Sequence, residues 1–181
     1  LDEVKRVQPD AVINGIAIEP MIQKRNGREL VVGVRRDPVF GPVITFGEGG
    51  NLVEANRDVA VALPPLNNYL VKDMIRSTRI YHRLGEFRHL PSIDMTALEL
   101  VLRRVSEMVC ELPWINEMEI NPLIVDENGA VAVDASIIVD NVSPTADRYD
   151  HMAIHPYPSH LTQTWIVPDG TTVTIRPIKP E

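Results

Sequence analysis

The chain has 181 residues, of which 44% are hydrophobic and 24% charged, and its formal net charge is −7. This length suffices for one domain with a hydrophobic core plus an appendage. The acidic balance argues against nucleic acid or an anionic membrane as a partner, because both attract basic proteins. No stretch approaches the roughly 20 apolar residues of a membrane-spanning helix. The single cysteine, Cys110, excludes an internal disulfide and indicates a reducing cytoplasm.

The first part of the chain predicts the end of a helix followed by an antiparallel meander. Val4 and Val7 have helical spacing, and Pro9 terminates that helix. Apolar, β-branched runs predict strands, and the Asn26-Gly27 pair supplies the positive φ angles of a tight turn between the first two. Strands are expected at residues 11–21, 29–36 and 42–46, with a short β-prone run at 59–63.

The second part predicts two helices and two hairpins. Asn67 or Asn68 can cap a helix that reaches about Ser77. The clearest helix spans about residues 94–112, where apolar side chains recur at spacings of three and four until Pro113. Hairpin strands are expected at residues 116–125 and 130–139, and again at 164–167 and 171–178. The order of elements indicates an α+β domain, with helices packed on a mostly antiparallel sheet, followed by a linker and a β-hairpin.

Asn121 and Asp134 are candidate ligands for a hard cation. If residues 126–129 form a four-residue turn, Val125 pairs with Ala130, and counting back places Asn121 directly opposite Asp134. Opposed side chains lie on the same face of a sheet, about 5 Å apart at Cβ. An amide oxygen and a carboxylate at that distance suit Mg²⁺, which takes its other ligands from water and phosphate. A polar pair facing solvent is the alternative, because a slip of the turn separates the two.

Two glutamates and a glycine-rich loop form a second candidate site. Glu19 interrupts an apolar run, and Glu29 begins the strand after the Asn-Gly turn. Carboxylates at such a rim can accept hydrogen bonds from an adenine amino group or a ribose hydroxyl. Alternatively, they protect a strand edge. The loop from Gly47 to Gly50 allows a ligand to approach closely, but it lacks the Lys-Ser/Thr of a P-loop and equally fits a plain turn.

Long motifs follow one another along the chain at residues 27–44, 46–50 and 58–66 and in the run Glu119-Ile120-Asn121-Pro122-Leu123. Together they resemble the ATP-grasp part of NDP-forming acyl-CoA synthetases, a module that also occurs in succinyl-CoA synthetase β subunits. The resemblance covers about residues 11–140. It implies the C-terminal half of an ATP-grasp domain that binds ATP or ADP together with Mg²⁺.

This resemblance assigns a nucleotide-binding role to the N-terminal candidates. Glu19 corresponds to the adenine-side acid of the hinge, with Pro20, Met21 and Ile22 forming the rest of the hinge. Glu29 corresponds to the ribose-binding glutamate.

The same resemblance makes Asn121 and Asp134 the two Mg²⁺ ligands, in agreement with the register argument. A segment beside the phosphoryl-transfer centre corresponds to Gly47, Glu48, Gly49 and Gly50. Ser136 departs from the pattern, since many relatives have arginine there. The half of the ATP-grasp fold that carries the phosphate-binding lysine and lid is not in this chain. We therefore expect no catalytic residue here, and no activity from the chain alone.

Three stretches of the tail, at residues 152–158, 169–171 and 175–181, resemble the junction into a GNAT acetyltransferase domain. This arrangement is similar to that of bacterial Pat-type protein lysine acetyltransferases. It implies an ATP-grasp half at 1–140, a linker at 141–160 and the start of a GNAT domain at 161–181. The expected activity of the parent protein is acetyl transfer from acetyl-CoA to lysines of enzymes such as acetyl-CoA synthetase, with the synthetase-like part regulatory.

Two other functions stay open. The first is an active NDP-forming acyl-CoA synthetase, in which Asn121 and Asp134 hold metal during phosphoryl transfer between the nucleotide and a histidine. The second is a non-catalytic scaffold or oligomerisation domain. Expected partners are the remaining synthetase-like and GNAT domains of the same chain, the protein substrate and a second copy in a homo-oligomer. Leu1 and Glu181 suggest the borders of a piece of a longer protein.

Overall fold

The computed structural model describes residues 2–16, 18, 21–22, 24–50, 58–140 and 149–178. The helices are α1 (Asp2–Val7), α2 (Asn68–Arg76), α3 (Tyr81–Leu84) and α4 (Met95–Glu111), and a 3₁₀ helix spans Ser159–Leu161. The strands are β1 (Arg28–Asp37), β2 (Gly41–Glu48), β3 (Val59–Ala62), β4 (Ile115–Asp126), β5 (Gly129–Ala132), β6 (Ala135–Val139), β7 (Gln163–Ile166) and β8 (Thr172–Ile175).

The main sheet has six strands in the order β3-β2-β1-β4-β5, and β6 also pairs with β4. Every pairing within it is antiparallel. Helices and strands fall where the hydrophobic periodicity predicts them, apart from the first predicted strand. The α+β class with an antiparallel sheet is therefore confirmed.

One face of the sheet packs against α2 and α4 and forms the core. Alternate residues of the central strands point to this face, because side chains of a strand alternate between the two sides. The helices contribute the apolar stripe that the spacing of three and four predicts. Fully buried members of the core include Leu30, Val32, Ile44, Phe46, Val71, Leu98, Leu102, Leu123 and Val125.

Both long helices begin at a polar cap. The side chain of Asn67 accepts a hydrogen bond from Leu70 N at 2.9 Å, as predicted for the start of α2. Asp94 caps α4 in the same way, accepting from Ala97 N at 3.0 Å. These oxygens satisfy backbone N–H groups that have no partner inside the helix.

A buried arginine joins β1 to the segment after α3. Arg28 is only 5% exposed. Its guanidinium donates to the carbonyl oxygens of Arg83 at 3.0 Å, Pro91 at 2.7 Å, Gly85 at 3.3 Å and Asn26 at 2.5 Å. Burial lowers the pKa of Arg28 from its usual value, while the four acceptors compensate the loss of water around the charge.

The strand predicted at residues 11–21 is wrong. The described residues of this run have no regular secondary structure, and Val12 and Ile18 are 84% and 94% exposed. The predicted hairpin needs a free edge of β1, but both edges of β1 are occupied, by β2 and by β4. An unpaired strand leaves its backbone N–H and C=O groups without partners, so an apolar, β-branched composition alone does not produce one.

The described part of the tail contacts α4 and contains a hairpin. Met152 is buried, and the His151 ring Nε2 lies 2.9 Å from the carbonyl oxygen of Val109, near the end of α4. The predicted final hairpin is confirmed, with Trp165 paired to Val173 across β7 and β8. Both strands are exposed along their whole length.

β6 is the most exposed strand of the main sheet, since all five of its residues are exposed. Ile137, Ile138 and Val139 are each more than half exposed. Within the described ranges, β6 pairs with β4 alone. No helix in the described part of the chain is long and apolar enough to cross a membrane.

Two leucines of α4 offer a matched test of the core. Leu102 is fully buried, whereas Leu100 is 44% exposed. We expect Leu102→Ala to lower the free energy of unfolding by about 2–5 kcal/mol through lost burial and a cavity, and Leu100→Ala to change it by about 0.5 kcal/mol or less. Urea denaturation measures both, and equal losses would show that this face of α4 is not the packed one.

Candidate functional site

The sheet face opposite the helices is open and polar. Because side chains alternate along a strand, the residues between the core positions of β1, β2 and β4 point to this face. A groove of about 400 Å³ crosses it, and its lining includes Gly33, Thr45, Glu117, Glu119 and Ser136. That volume lies within the range of about 300–1,000 Å³ usual for small-molecule sites.

The predicted register of the β4–β5 turn is confirmed. Val125 pairs with Ala130. Further along the same pair of segments, the backbone N–H of Asn121 donates to the carbonyl oxygen of Asp134 at 3.1 Å. Asn121 and Asp134 are therefore opposed, although the return segment leaves regular strand geometry between β5 and β6.

A lysine–aspartate pair fixes the turn that sets this register. Lys24 Nζ lies 2.5 Å from Asp126 Oδ1 and donates to the carbonyl oxygen of Gly129 at 3.1 Å. Asp126 also accepts from Asn128 N at 2.9 Å. The hydrogen bond from Lys24 is the largest of the effects that lower the pKa of Asp126, and the Asn128 N–H adds to it.

Asn121 lies at a β-bulge of β4. The register between β1 and β4 shifts here, so that Asn121 and Pro122 stand opposite a single residue of β1. Ile120 and Leu123, on either side, consequently both pack against the core. A bulge inserts one extra residue and redirects side chains, which leaves Asn121 on the open face.

Two contacts set the orientation of the Asn121 amide. Its Oδ1 accepts a hydrogen bond from Gly50 N at 3.0 Å, and its Nδ2 lies 3.4 Å from Glu119 Oε1. Sequence reasoning missed Glu119. The available signal is its spacing of two residues from Asn121 on one strand, which places both side chains on the same face.

The glycine loop packs directly on Glu29 and β1. Gly49 N donates to the Glu29 carbonyl oxygen at 2.8 Å. Gly50 has a φ of +75°, and a Cβ added there would lie 2.1 Å from Glu29 Oε2. At Gly49 a Cβ would lie 2.4 Å from the Leu30 carbonyl oxygen. The structure thus brings Glu29, the glycines and Asn121 together at one corner of the open face.

Glu48 does not face this corner. By alternation along β2 it lies on the helix side with Phe46, and its Oε1 is 2.5 Å from Arg83 Nη1. A Cβ at Gly47 would lie 2.1 Å from the carbonyl oxygen of Asp58, next to β3. Of the four predicted loop residues, only Gly49 and Gly50 therefore reach Glu29 and Asn121.

The predicted hinge is described only in part. Glu19 and Pro20 lie outside the described residues. Met21 and Ile22 are 83% and 40% exposed and have no regular secondary structure. The nucleotide-binding role of all four residues stays a prediction.

The chain matches a known family. Residues 1–139 match the model of the ATP-grasp domain. The chain belongs to the ATP-grasp family. It is 37% identical over 139 residues to the β subunit of acetate–CoA ligase [ADP-forming] I of Pyrococcus furiosus, a match that covers 77% of this chain and 59% of that subunit. The chain thus spans about three-fifths of that curated relative's length.

Solved structures agree with this assignment. The chain is 38% identical to the dinucleotide-forming acetyl-coenzyme A synthetase 1 of Ca. Korarchaeum cryptofilum in complex with coenzyme A and Mg-AMPPCP, with a TM-score of 0.62 over 63% of this chain and 54% of that one. It is 37% identical to PH1788 of Pyrococcus horikoshii, with a TM-score of 0.68 over 77% of this chain and 59% of that one.

These relatives correct the functional expectation. The named ones are an ADP-forming acid–CoA ligase and an acetyl-coenzyme A synthetase, so the expectation of a GNAT-type lysine acetyltransferase is wrong. These relatives do not test the expected partners. The comparisons favour the alternative of an acyl-CoA synthetase. The domain limits at residues 140 and 160 stay predictions.

The Lys24–Asp126 pair predicts a pH dependence of stability. The pKa of Asp126 is lowered in the folded protein, so the pair stabilises the fold above the unfolded value of about 3.9 and this contribution disappears as the pH falls through the folded value. We expect Lys24→Met to have a lower urea midpoint than the wild type at pH 7 and a clearly smaller deficit well below pH 4, where only the Lys24 bond to the Gly129 carbonyl oxygen is still lost. The exposed Lys72→Met is the control, and a pH-independent difference would contradict the prediction.

Gly50 offers a test of the glycine loop. We expect Gly50→Ala to lower the free energy of unfolding by about 1–2 kcal/mol, because a side chain at this positive φ is strained. The added methyl group also displaces the Glu29 carboxylate, so the loss should be smaller when Glu29 is already alanine. Gly85→Ala is the control, since a Cβ there meets nothing within 4 Å. Urea denaturation of the four variants measures the difference, and equal losses in both Gly50 backgrounds would exclude the clash.

Proposed function

We propose that this chain supplies one face of the nucleotide and metal site of an ADP-forming acyl-CoA synthetase, an acid–CoA ligase. The observation that carries the proposal is the hydrogen bond from Asn121 N–H to the Asp134 carbonyl oxygen. This bond opposes the two residues, and because opposed side chains lie on the same face of a sheet, it supports an amide and a carboxylate as neighbours on the open face, beside the glycine loop and Glu29. The Korarchaeum relative binds coenzyme A and Mg-AMPPCP, which supports ATP or ADP, Mg²⁺ and coenzyme A as ligands of the whole protein.

The donor set fits a hard divalent cation. Asp134 has carboxylate oxygens, and Asn121 Oδ1 keeps a second lone pair after accepting from Gly50. Among the described residues, no group of three or more His, Cys, Asp or Glu side chains could hold a metal. Mg²⁺ needs no such cage, because it usually takes one or two protein ligands and completes its shell with water and phosphate. Bound here, it would neutralise charge on the phosphates of the nucleotide.

Glu29 supplies an acceptor for a hydroxyl group of the nucleotide. Its carboxylate lies against Gly50, on the same corner as the proposed metal ligands. A carboxylate accepts hydrogen bonds and donates none, so it suits a ribose hydroxyl. In this proposal Glu19 and the rest of the hinge contact the adenine.

The glycine loop acts by close approach in this proposal. The N–H of Gly49 is already bonded to Glu29, and that of Gly50 to Asn121. Neither is free to donate to a phosphate, unlike the N–H groups of a P-loop. The loop therefore positions Asn121 and leaves room for the ligand. The positive charge that neutralises the phosphates comes from the cation and from the rest of the protein.

Asp134 and Asp140 provide the test of this function. In the full-length protein we expect an acid, coenzyme A and ATP to give acyl-CoA, ADP and inorganic phosphate. Asp134→Asn should lower kcat/KM by about 100-fold or more. It removes a charged ligand of a cation that stabilises the transition state by several kcal/mol. Asp140→Asn, at the end of β6 and hydrogen-bonded to Asn116, should leave it unchanged. Full activity of Asp134→Asn, or no acyl-CoA formation by the wild type, would overturn the proposal.

A further inference from the structure

An ion pair lies behind the glycine loop, on the helix side of the sheet. Arg83 Nη1 is 2.5 Å from Glu48 Oε1, and the Glu48 side chain is only 17% exposed. Glu48 is the last residue of β2 and directly precedes Gly49 and Gly50. Arg83 therefore fixes the point at which the chain leaves β2 and enters the loop.

The helix that carries Arg83 is itself held at both ends. At its start, Asp58 Oδ2 accepts from Ile80 N at 2.8 Å. At its end, the carbonyl oxygen of Arg83 accepts from Arg28 Nε at 3.0 Å, and Leu84 is fully buried. The Arg83 side chain is thus anchored on an element that the core holds in place.

The loop, in turn, controls the amide of Asn121. The Gly50 N–H is the donor that turns Asn121 Oδ1 toward the glycine loop, opposite to Glu119 on the Nδ2 side. A hydrogen bond to a ligand side chain sets its orientation and its strength as a ligand. The direction of the Gly50 N–H depends on where Glu48 is held, only two residues earlier.

We infer that Arg83 is a positioning residue for the nucleotide and metal site, acting through Glu48 and the glycine loop on Asn121. The inference rests on the proposed function of that site. Arg83 contributes no ligand, because its guanidinium lies on the helix side of the sheet with Glu48. Its role is to hold the Gly50 N–H where it presents the Asn121 oxygen to the cation.

Arg83→Gln in the full-length protein tests the inference. We expect the Mg²⁺ concentration for half-maximal acyl-CoA formation to rise about 10-fold, as is usual when a group that orients a metal ligand is removed. The KM values for coenzyme A and for the acid should not change. Arg83→Lys keeps the charge and should recover most of the Mg²⁺ affinity. Arg104→Gln, which removes another exposed arginine, one that is paired with Glu107 on the surface of α4, is the control.

A purely structural role gives a different result. Two results would overturn the inference while the proposed function stands. In the first, Arg83→Gln lowers the melting temperature and raises the Mg²⁺ requirement and the KM values for coenzyme A and the acid alike. In the second, it leaves the Mg²⁺ dependence as in the wild type. If the wild type makes no acyl-CoA, the proposed function itself fails. Should Arg83→Gln not fold, Glu48→Gln and the swapped pair Glu48→Arg with Arg83→Glu carry the same test. The swap is expected to restore part of the affinity lost in either single variant, and no restoration overturns the inference.

Discussion

The hydrogen bonds of the buried Arg28 guanidinium hold together the elements around the candidate site. Four backbone carbonyl oxygens from the segments around it converge on one buried cation. A hydrogen bond to a charged group contributes about 1.5–3 kcal/mol, and an unmet buried charge costs more than that. The ordering of the chain between α3 and α4 is therefore coupled to the first residue of β1. Arg83 of α3 accepts one of these bonds and also pairs with Glu48, so Arg28 is linked through α3 to the loop beside Asn121.

Much of the fold follows from local patterns. Alternation and turn residues identify β1, β2 and the β4–β5 hairpin. Helical spacing identifies α4, and helical spacing with a cap at Asn67 or Asn68 identifies α2. Residues 11–21 show the limit of this reasoning. A strand is stable only beside another strand, and neither edge of β1 is available. The composition of a segment indicates its tendency to form a strand, but not whether a partner strand is available to it.

One part of the candidate site, the pairing of Asn121 with Asp134, could be predicted by counting residues from the turn. The length of the β4–β5 turn is enough to oppose Asn121 and Asp134, and the bulge does not disturb that pairing because it lies on the β1 side of β4. The bulge itself, the contact between Gly50 and Asn121, and the helix-side position of Glu48 all require knowledge of which elements pack together. Glu119 and Arg83 were missed for the same reason. The acetyltransferase expectation came from the tail alone, and the relatives of residues 1–139 outweigh it.

The exposed apolar residues of β6 favour self-association, and one of them also lines the groove on the open face. An exposed edge strand with apolar residues on both faces is a template for unwanted pairing with other chains. Ile138, one of these residues, also lines the groove on the open face. A charged substitution of Ile138 that reduces self-association would therefore also change the lining of this groove. Ser136 also lines the groove, so two of the five exposed residues of β6 contribute to its shape.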